Sequence, residues 1–311
     1  MAQEREKFLR QQSCPAKFSE VEAALGKFVE EQRQFQRKIV LVTSGGTAVP
    51  LESRTVRFID NFSIGTRGAS STEYFLQEGY AVIFLNRDRS LKPFQRHFSH
   101  QNMLDLLHLD LETNSTSVKK EYESKVSRIV QRYTKCKEQN QLLSIEFQTL
   151  GEYLTYLQAC ATALRPLGSN AMLYLAAAVS DFYIPKEQMP EHKIQSSDGP
   201  IQLSLQLVPK MLEPLVSEWV PEAFTVSFKL ETDKDLLVPK AKQALEKYKH
   251  QMVIANVLET RKREVTLITS QFSFPINLTA EEISRGVEIE ERIVQQLKLK
   301  HCEFCEKNIP Q

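Results

Sequence analysis

The stretch Lys38–Ser44, KIVLVTS, has four consecutive apolar residues with no polar residue between them, and it stops at a glycine pair, Gly45 and Gly46. A strand without a polar face is one buried on both sides, as in a parallel sheet covered by helices above and below. The segment TRGASSTEYFLQEG then has the spacing of a helix closed by Gly79 in the C′ position, and YAVIFLN (80–86) is a second strand of the same buried kind. Strand, helix, strand in this order is a βαβ unit, and parallel neighbours need such a crossover. The chain is thereby committed to an α/β fold.

The remaining segments extend that unit. Residues 1–36 carry helical spacing at Phe18, Val21, Ala24, Leu25, Phe28 and Phe35 and form an N-terminal helical segment. Further buried strands are read at AMLYLAAAVS (171–180), FTVSFKL, MVIAN and VTLIT, with helices at GEYLTYLQACATAL, after Pro209, and from Asp233 to Tyr248. The chain contains no internal repeat, low-complexity tract or Gly/Ser linker. With 311 residues, 41% of them hydrophobic, it has enough apolar material for one large core. The economical reading is one doubly wound, Rossmann-like, mostly parallel sheet over residues 37–300, with helices on both faces. The polar stretch 94–140 reads as an insertion at the sheet edge, and IQLSLQL (201–207) as an alternating strand that in a monomer would bury one face and in a two-fold dimer would help form the interface, part of a small β dimerisation and flap element. Residues 301–311 form a C-terminal tail, in which HCEFC is an incidental feature without a second ligand pair at zinc spacing.

Charge and cysteine usage narrow the function classes. Forty Lys+Arg against 39 Asp+Glu leave a net charge of +1, so no overall field points to nucleic acid or an anionic membrane. The most apolar run, Met172–Val179, is far shorter than the ~20 residues of a membrane helix. Five scattered cysteines and a charged N-terminus without an apolar signal core indicate a reduced, cytoplasmic protein.

In doubly wound folds ligands gather beyond the carboxyl ends of the strands. Four such ends here carry small or polar residues: TSGGT, AAAVSDF, SFKLET and IANVLE. Each alone has an ordinary explanation as a turn, a packing contact or a core residue. Together with a second glycine turn, NFSIGTRG, that opens a helix at Thr66–Ala69, they indicate a phosphate-containing ligand met by backbone N–H groups and a helix N-terminus.

The segments VTSGGTAVPLESRTVRFIDNFSIGTRG, YLAAAVSDFY, EHKIQS, SFKLET and VIANVLE, spread over roughly Val40 to Leu297, resemble the phosphopantothenoylcysteine synthetase family in its eukaryotic stand-alone form. The resemblance implies a ligase of coenzyme A biosynthesis. It would activate the carboxylate of 4′-phosphopantothenate with a nucleoside triphosphate and pass the acyl group from an acyl-nucleotide to the amine of L-cysteine. It implies Asn61 as hydrogen-bond donor to the acyl oxyanion, and Gly45, Ser63, Gly65 and Gly68 as nucleotide-binding turns. Ala177, Ala178 and Asp181 would line the substrate crevice, and Phe228 and Asn256 the base and ribose end. Lys193 would ride on a mobile flap, about 183–200, over the triphosphate, and Arg57 would reach across a homodimer to the partner's substrate phosphate. ATP with Mg²⁺ is the expected cofactor pair, and no flavin, since no flavin-dependent decarboxylase segment precedes Lys38.

Two departures stand out. Ile64 occupies a position where the family commonly has serine, and the flap reads HKIQ where bacterial members carry more lysines. The preference for ATP over CTP rests on resemblance to the eukaryotic subgroup. Two alternatives remain open on the residues: a short-chain NAD(P) oxidoreductase, which lacks a Tyr-x-x-x-Lys in the right place, and a non-catalytic nucleotide-binding regulator.

Overall fold

The computed structural model describes residues 2–12 and 14–308. Helices α1 (Ala2–Gln11) and α2 (Phe18–Gln34) lead into β1 (Ile39–Ser44). A small hairpin, β2 (Ala48–Pro50) and β3 (Phe58–Asp60), separates β1 from α3 (Thr66–Gln77), which is followed by β4 (Ala81–Arg87). The hairpin β5 (Leu107–Asp110) and β6 (Ser115–Val118) precedes α4 (Lys120–Glu138), β7 (Leu142–Phe147), α5 (Leu150–Leu164) and β8 (Ala171–Leu175). Short pieces follow: β9 (Phe182–Tyr183), β10 (Gln206–Leu207) and α6 (Leu212–Pro214). Then come β11 (Phe224–Glu231), α7 (Lys234–Tyr248), β12 (Met252–Val257), β13 (Glu264–Ile268), β14 (Ser273–Asn277), α8 (Ala280–Ser284) and α9 (Ile289–Lys307).

The central sheet has eight strands in the order β14-β13-β12-β11-β8-β1-β4-β7. The run from β12 to β7 is parallel, and β13 and β14 close one edge antiparallel. The chain enters in the middle at β1, adds β4 and β7 on one side, and returns to add β8, β11 and β12 on the other. The direction of winding therefore reverses between β1 and β8, which is where such sheets open a crevice.

The absence of polar alternation in β1 has its expected cause. Ile39 and Leu41 face a core shared with Ile83, Leu173 and the helices α2 and α5, through Leu25, Phe28, Leu154 and Leu157. Val40 and Val42 face the other way, against Phe84, Tyr174, Phe75 of α3 and Ile293, Val294 and Leu297 of α9. Each fully buried side chain of this size contributes on the order of 1.5–3 kcal/mol. A capping box at Thr149 and Glu152 fixes the start of α5, and Gly79, at φ +85°, ends α3 in the C′ position.

Several expectations are corrected. The expected tail 301–311 is helix over its first part: α9 runs on through Lys307, His301 is fully buried, and residues 309–311 lie outside the described residues. Its Nε2 donates to Ser169 O (2.8 Å) and its Nδ1 accepts from the Tyr80 hydroxyl (3.0 Å), and burial lowers its pKa from 6.5 to about 4. His301 and Phe304 continue the helical spacing set by Val294 and Leu297, but His and Cys read as chemistry rather than core. Of the run 201–207 only Gln206 and Leu207 are strand, paired with Tyr183 and Phe182, and the buried face expected of a monomer is missing. Ile201, Leu203, Leu205 and Leu207 are all exposed, by 39 to 71%. Period two says which side chains share a face, not whether anything covers it.

The region 94–140 is only partly an insertion, because α4 is the crossover from β4 to β7 and sets Ile129 and Cys136 into the core. The strand at 171–180 ends at Leu175, the helix after Pro209 begins at Leu212, and β14, an exposed edge strand containing Pro275, had no reading at all.

Candidate active site

The carboxyl ends of β1 and β8 are laced together. Ala178 N donates to Gly45 O (2.8 Å) and Thr47 N to Ala178 O (3.1 Å). Thr43 Oγ1 accepts from Ala177 N (3.1 Å), and Thr47 Oγ1 from Ser180 N (2.9 Å). The loop Ala176–Ser180 is thus a continuation of the sheet in all but strand geometry, and it holds Ala177 and Ala178 at the crevice. The glycine pair has separate reasons. Gly45 has φ +86°, and a side chain there would also meet Arg87 Cβ at 2.7 Å. At Gly46 a Cβ would lie 2.2 Å from the carbonyl oxygen of Asn61, so this glycine is what lets Asn61 come up against the end of β1.

The second glycine turn sets α3 on the same floor. Gly65 is the N-cap of α3, in the left-handed region at φ +82°, and supplies no side-chain cap. The N–H groups of the first helical turn are therefore left to other acceptors, at the positive end of the helix dipole. Gly68, one turn in, is required by contact: a Cβ would sit 2.4 Å from Ser44 Oγ and 2.5 Å from Ser44 Cβ. Ser44 Oγ itself donates to Gly65 O (3.1 Å). Gly45, Gly65 and Gly68, the glycines expected in nucleotide-binding turns, therefore meet at one point, the last residue of β1.

Two clefts open from this floor. The first, about 570 Å³, is lined by Asn61, Ser63, Ile64, Arg87, Arg89 and Ser90 among others. Arg87 pairs with Asp60 (2.6 Å) and donates to Gly46 O (3.1 Å). Arg89 is 90% exposed, with backbone in the left-handed region at φ +60°. Neither arginine figured among the expected site residues. The signal was available, since Arg87 ends β4 and Arg89 stands two residues beyond it, whereas the strand expected from the sequence ends at Asn86. The second cleft, about 290 Å³, is lined by Ala177, Asp181, Lys210, Ser227 and Phe228 among others. Asp181 accepts from Lys210 (2.5 Å), and the Phe228 ring lies edge-on to Tyr174 at 4.9 Å. Behind it Ser227 bonds the buried His250 (2.8 Å), whose pKa burial lowers to about 4. A smaller space bridges the two clefts, with Asn61 on one wall, Asp181 on another and Leu205 at its rim.

The other expected residues stand further out or deeper. Asn256 is buried on β12 in register with Leu230 of β11. Arg57 lies in the β2–β3 connection and forms an ion pair with the wholly buried Glu52 (2.7 Å). Lys193 is exposed on the loop that follows β9. That loop is fastened to the β2–β3 connection, with Ser53 N donating to Pro190 O and Arg54 N to Glu191 O, both at 2.9 Å. Among the described residues no cluster of three or more His, Cys, Asp or Glu is arranged to hold a metal, and no helix is long and apolar enough to cross a membrane.

A family profile described as DNA/pantothenate metabolism flavoprotein C-terminal domain matches residues 125–287. The phosphopantothenate–cysteine ligase of Mus musculus is 49% identical over 298 residues, covering 94% of this chain and 95% of its own. That of Homo sapiens is 50% identical over 272 residues, with 86% and 88% covered. Among solved structures, a point mutant of Cab2 in complex with phosphopantothenate-cysteine superposes with a TM-score of 0.89 at 40% identity, covering 97% of this chain and 99% of the other. These likenesses displace the oxidoreductase alternative. Identity at this level over nearly the whole length places the chain in the phosphopantothenate–cysteine ligase family.

Proposed function

We propose that the chain joins 4′-phosphopantothenate and L-cysteine in coenzyme A biosynthesis, cleaving ATP to AMP and pyrophosphate by way of an acyl-adenylate. The observation that carries this reading is the uncapped N-terminus of α3 beside Asn61, in a fold shared with a ligase solved with phosphopantothenate-cysteine bound. A carboxylate is a poor electrophile. Attack of its oxygen on the α-phosphorus breaks the α–β phosphoanhydride bond and releases pyrophosphate; the cysteine amine then attacks the acyl carbon, loses a proton and expels AMP. Both steps are redox-neutral and call for no flavin.

The roles proposed for the residues are those that the resemblance implies, and the clefts described above support them. Backbone N–H groups at Gly65–Gly68 and the turn at Gly45 receive phosphate, with Ser63 beside them. The Asn61 amide donates to the oxygen on which charge develops, without adding a charge that would repel the carboxylate beforehand. Ala177, Ala178 and Asp181 shape the substrate side, and Phe228 and Asn256 the nucleoside side. Lys193 neutralises the leaving pyrophosphate as its loop covers the site and excludes water. Mg²⁺ would arrive with ATP, held by phosphate oxygens, and would offset the triphosphate charge.

The exposed leucines at 203, 205 and 207 suit a second copy of the chain, and a homodimer would let Arg57 meet the partner's substrate phosphate. Mixed dimers of Arg57→Ala and Asn61→Asp subunits would then recover up to about a quarter of normal activity, given random exchange and independent sites. The five free cysteines suit a reducing cytoplasm. Phosphorus NMR of a complete reaction tests the chemistry: AMP and pyrophosphate should form in step with the amide, and not without phosphopantothenate. ADP with inorganic phosphate would overturn it.

A further inference from the structure

Glu52 is a carboxylate with no accessible surface, paired with the partly buried Arg57 in a connection that is hydrogen-bonded to the loop carrying Lys193. Its Oε2 accepts from the backbone N–H groups of Val56 (3.2 Å) and Arg57 (3.0 Å), and its Oε1 from the Arg57 guanidinium (2.7 Å). From elsewhere in the chain, the backbone N–H of Ile194, the residue next to Lys193, also helps to lower the pKa of this carboxyl. Burial alone would push this carboxyl up, but the donors hold its pKa below the ordinary value, so it is an anion in the folded chain. The same two segments are joined on either side of it, by Ser53 N to Pro190 O and by the Arg54–Glu191 ion pair (3.2 Å).

A buried charge that served only the hairpin would need no partner from a loop more than a hundred residues away. Removing one donor from such a group is costly, because it leaves the charge uncompensated. From this arrangement we propose that Glu52 is a positioning residue that fixes Arg57 and docks the Lys193 loop, so that one carboxylate sets the placement of both cations. This rests on the proposed role of Arg57 toward the substrate phosphate. Opening of the loop around Lys193 withdraws one donor from Glu52, and the Arg57 guanidinium is then held less firmly. If Arg57 serves the partner's site, the state of one subunit's loop is felt at the other subunit's substrate phosphate.

Glu52→Gln keeps the shape and removes the charge. It should raise KM for 4′-phosphopantothenate about tenfold, leave KM for ATP within about twofold, and speed hydrogen exchange at the Ile194 and Arg57 amides together. On an Arg57→Ala background the same change should add less than about twofold to that KM, because the two act through one contact. An unchanged KM with unchanged exchange at Ile194 overturns the proposal, as does an increment that fully adds to that of Arg57→Ala with a broad loss of thermal stability, the mark of a purely structural residue. If Arg57→Ala alone leaves that KM unchanged, the reading of Arg57 fails, and exchange still decides the coupling. The unmutated enzyme gives a test that needs no variant to fold. The amides of Ile194, Val56 and Arg57 should exchange through one common opening, and exchange of Ile194 at the rate of a free loop while Arg57 stays protected would contradict the coupling.

Discussion

The floor of the cleft and its rim are built by different means. On the floor every residue from Thr43 to Thr47 is buried, the loop after β8 is hydrogen-bonded to it along its length, and two glycines are dictated by atoms less than 2.6 Å from where a side chain would begin. On the rim Lys193 is exposed, the Asp181 side chain is 63% exposed, and Phe62, between Asn61 and Ser63, is 93% exposed. The floor is completed by folding itself. The rim carries the side chains proposed to do the chemistry, with Asp181 and Lys193 among them standing exposed. On the proposed function such a division would serve the chemistry: phosphates would meet preorganised backbone donors, while charged groups would stay movable through two successive steps.

The largest effect expected on the rim is that of Asn61→Asp. Replacing an amide donor by an anion beside the activated carboxyl should lower turnover on the order of 10²–10³-fold, about 3–4 kcal/mol of transition-state stabilisation, with thermal stability unchanged. Turnover above a tenth of normal would remove Asn61 from the oxyanion role and break the distinction at its strongest point.

The interior behind the floor gives the next effect. His301 and His250 are buried neutral, with pKa values of about 4 against 6.5 in the unfolded chain. Each contributes stability that is fully present above pH 6.5 and is lost as pH falls toward 4, about 3 kcal/mol apiece at most. Glu73 of α3 adds the same sign at lower pH, since its contacts with His97 and Arg96 outweigh burial and hold it at about 2 instead of 4.5. Denaturant unfolding at pH 7 and pH 5 should show the loss, and His301→Phe should flatten the slope between them. A slope untouched by that change would mean that His301 stays neutral in neither or both states.

How far the sequence could be read follows the same division. The buried strands β1, β4, β8, β11 and β12, the cap at Gly79 and the glycine turns were legible, because burial on both faces leaves a plain apolar run and a left-handed turn asks for glycine. The continuation of α9 was not, since His301 and Cys305 fill core positions with residues that pattern reading treats as polar. The alternation at 201–207 left open whether a core or a second copy covers its apolar side, because alternation carries no information about what lies opposite. Nor did any local pattern mark Glu52 as a wholly buried carboxylate. The rim residues Asn61, Asp181 and Lys193 were named through resemblance alone, and their spacing in the sequence does not put them together.

The central claim, that the floor binds and the rim reacts, is tested most directly by two variants measured side by side. Gly68→Ala puts a methyl group where Ser44 already lies, at 2.4 Å, and should push α3 off β1 at a cost of about 2 kcal/mol, lowering the melting temperature by several degrees. Lys193→Gln changes one exposed side chain, and its expected effect is the smaller, about tenfold or 1.4 kcal/mol. Affinity for a non-hydrolysable ATP analogue and single-turnover pyrophosphate release should be measured on both. The account predicts weakened analogue binding in Gly68→Ala, and in Lys193→Gln near-normal binding, within about threefold, with pyrophosphate release slowed about tenfold. Normal binding in Gly68→Ala together with unchanged release in Lys193→Gln would contradict it.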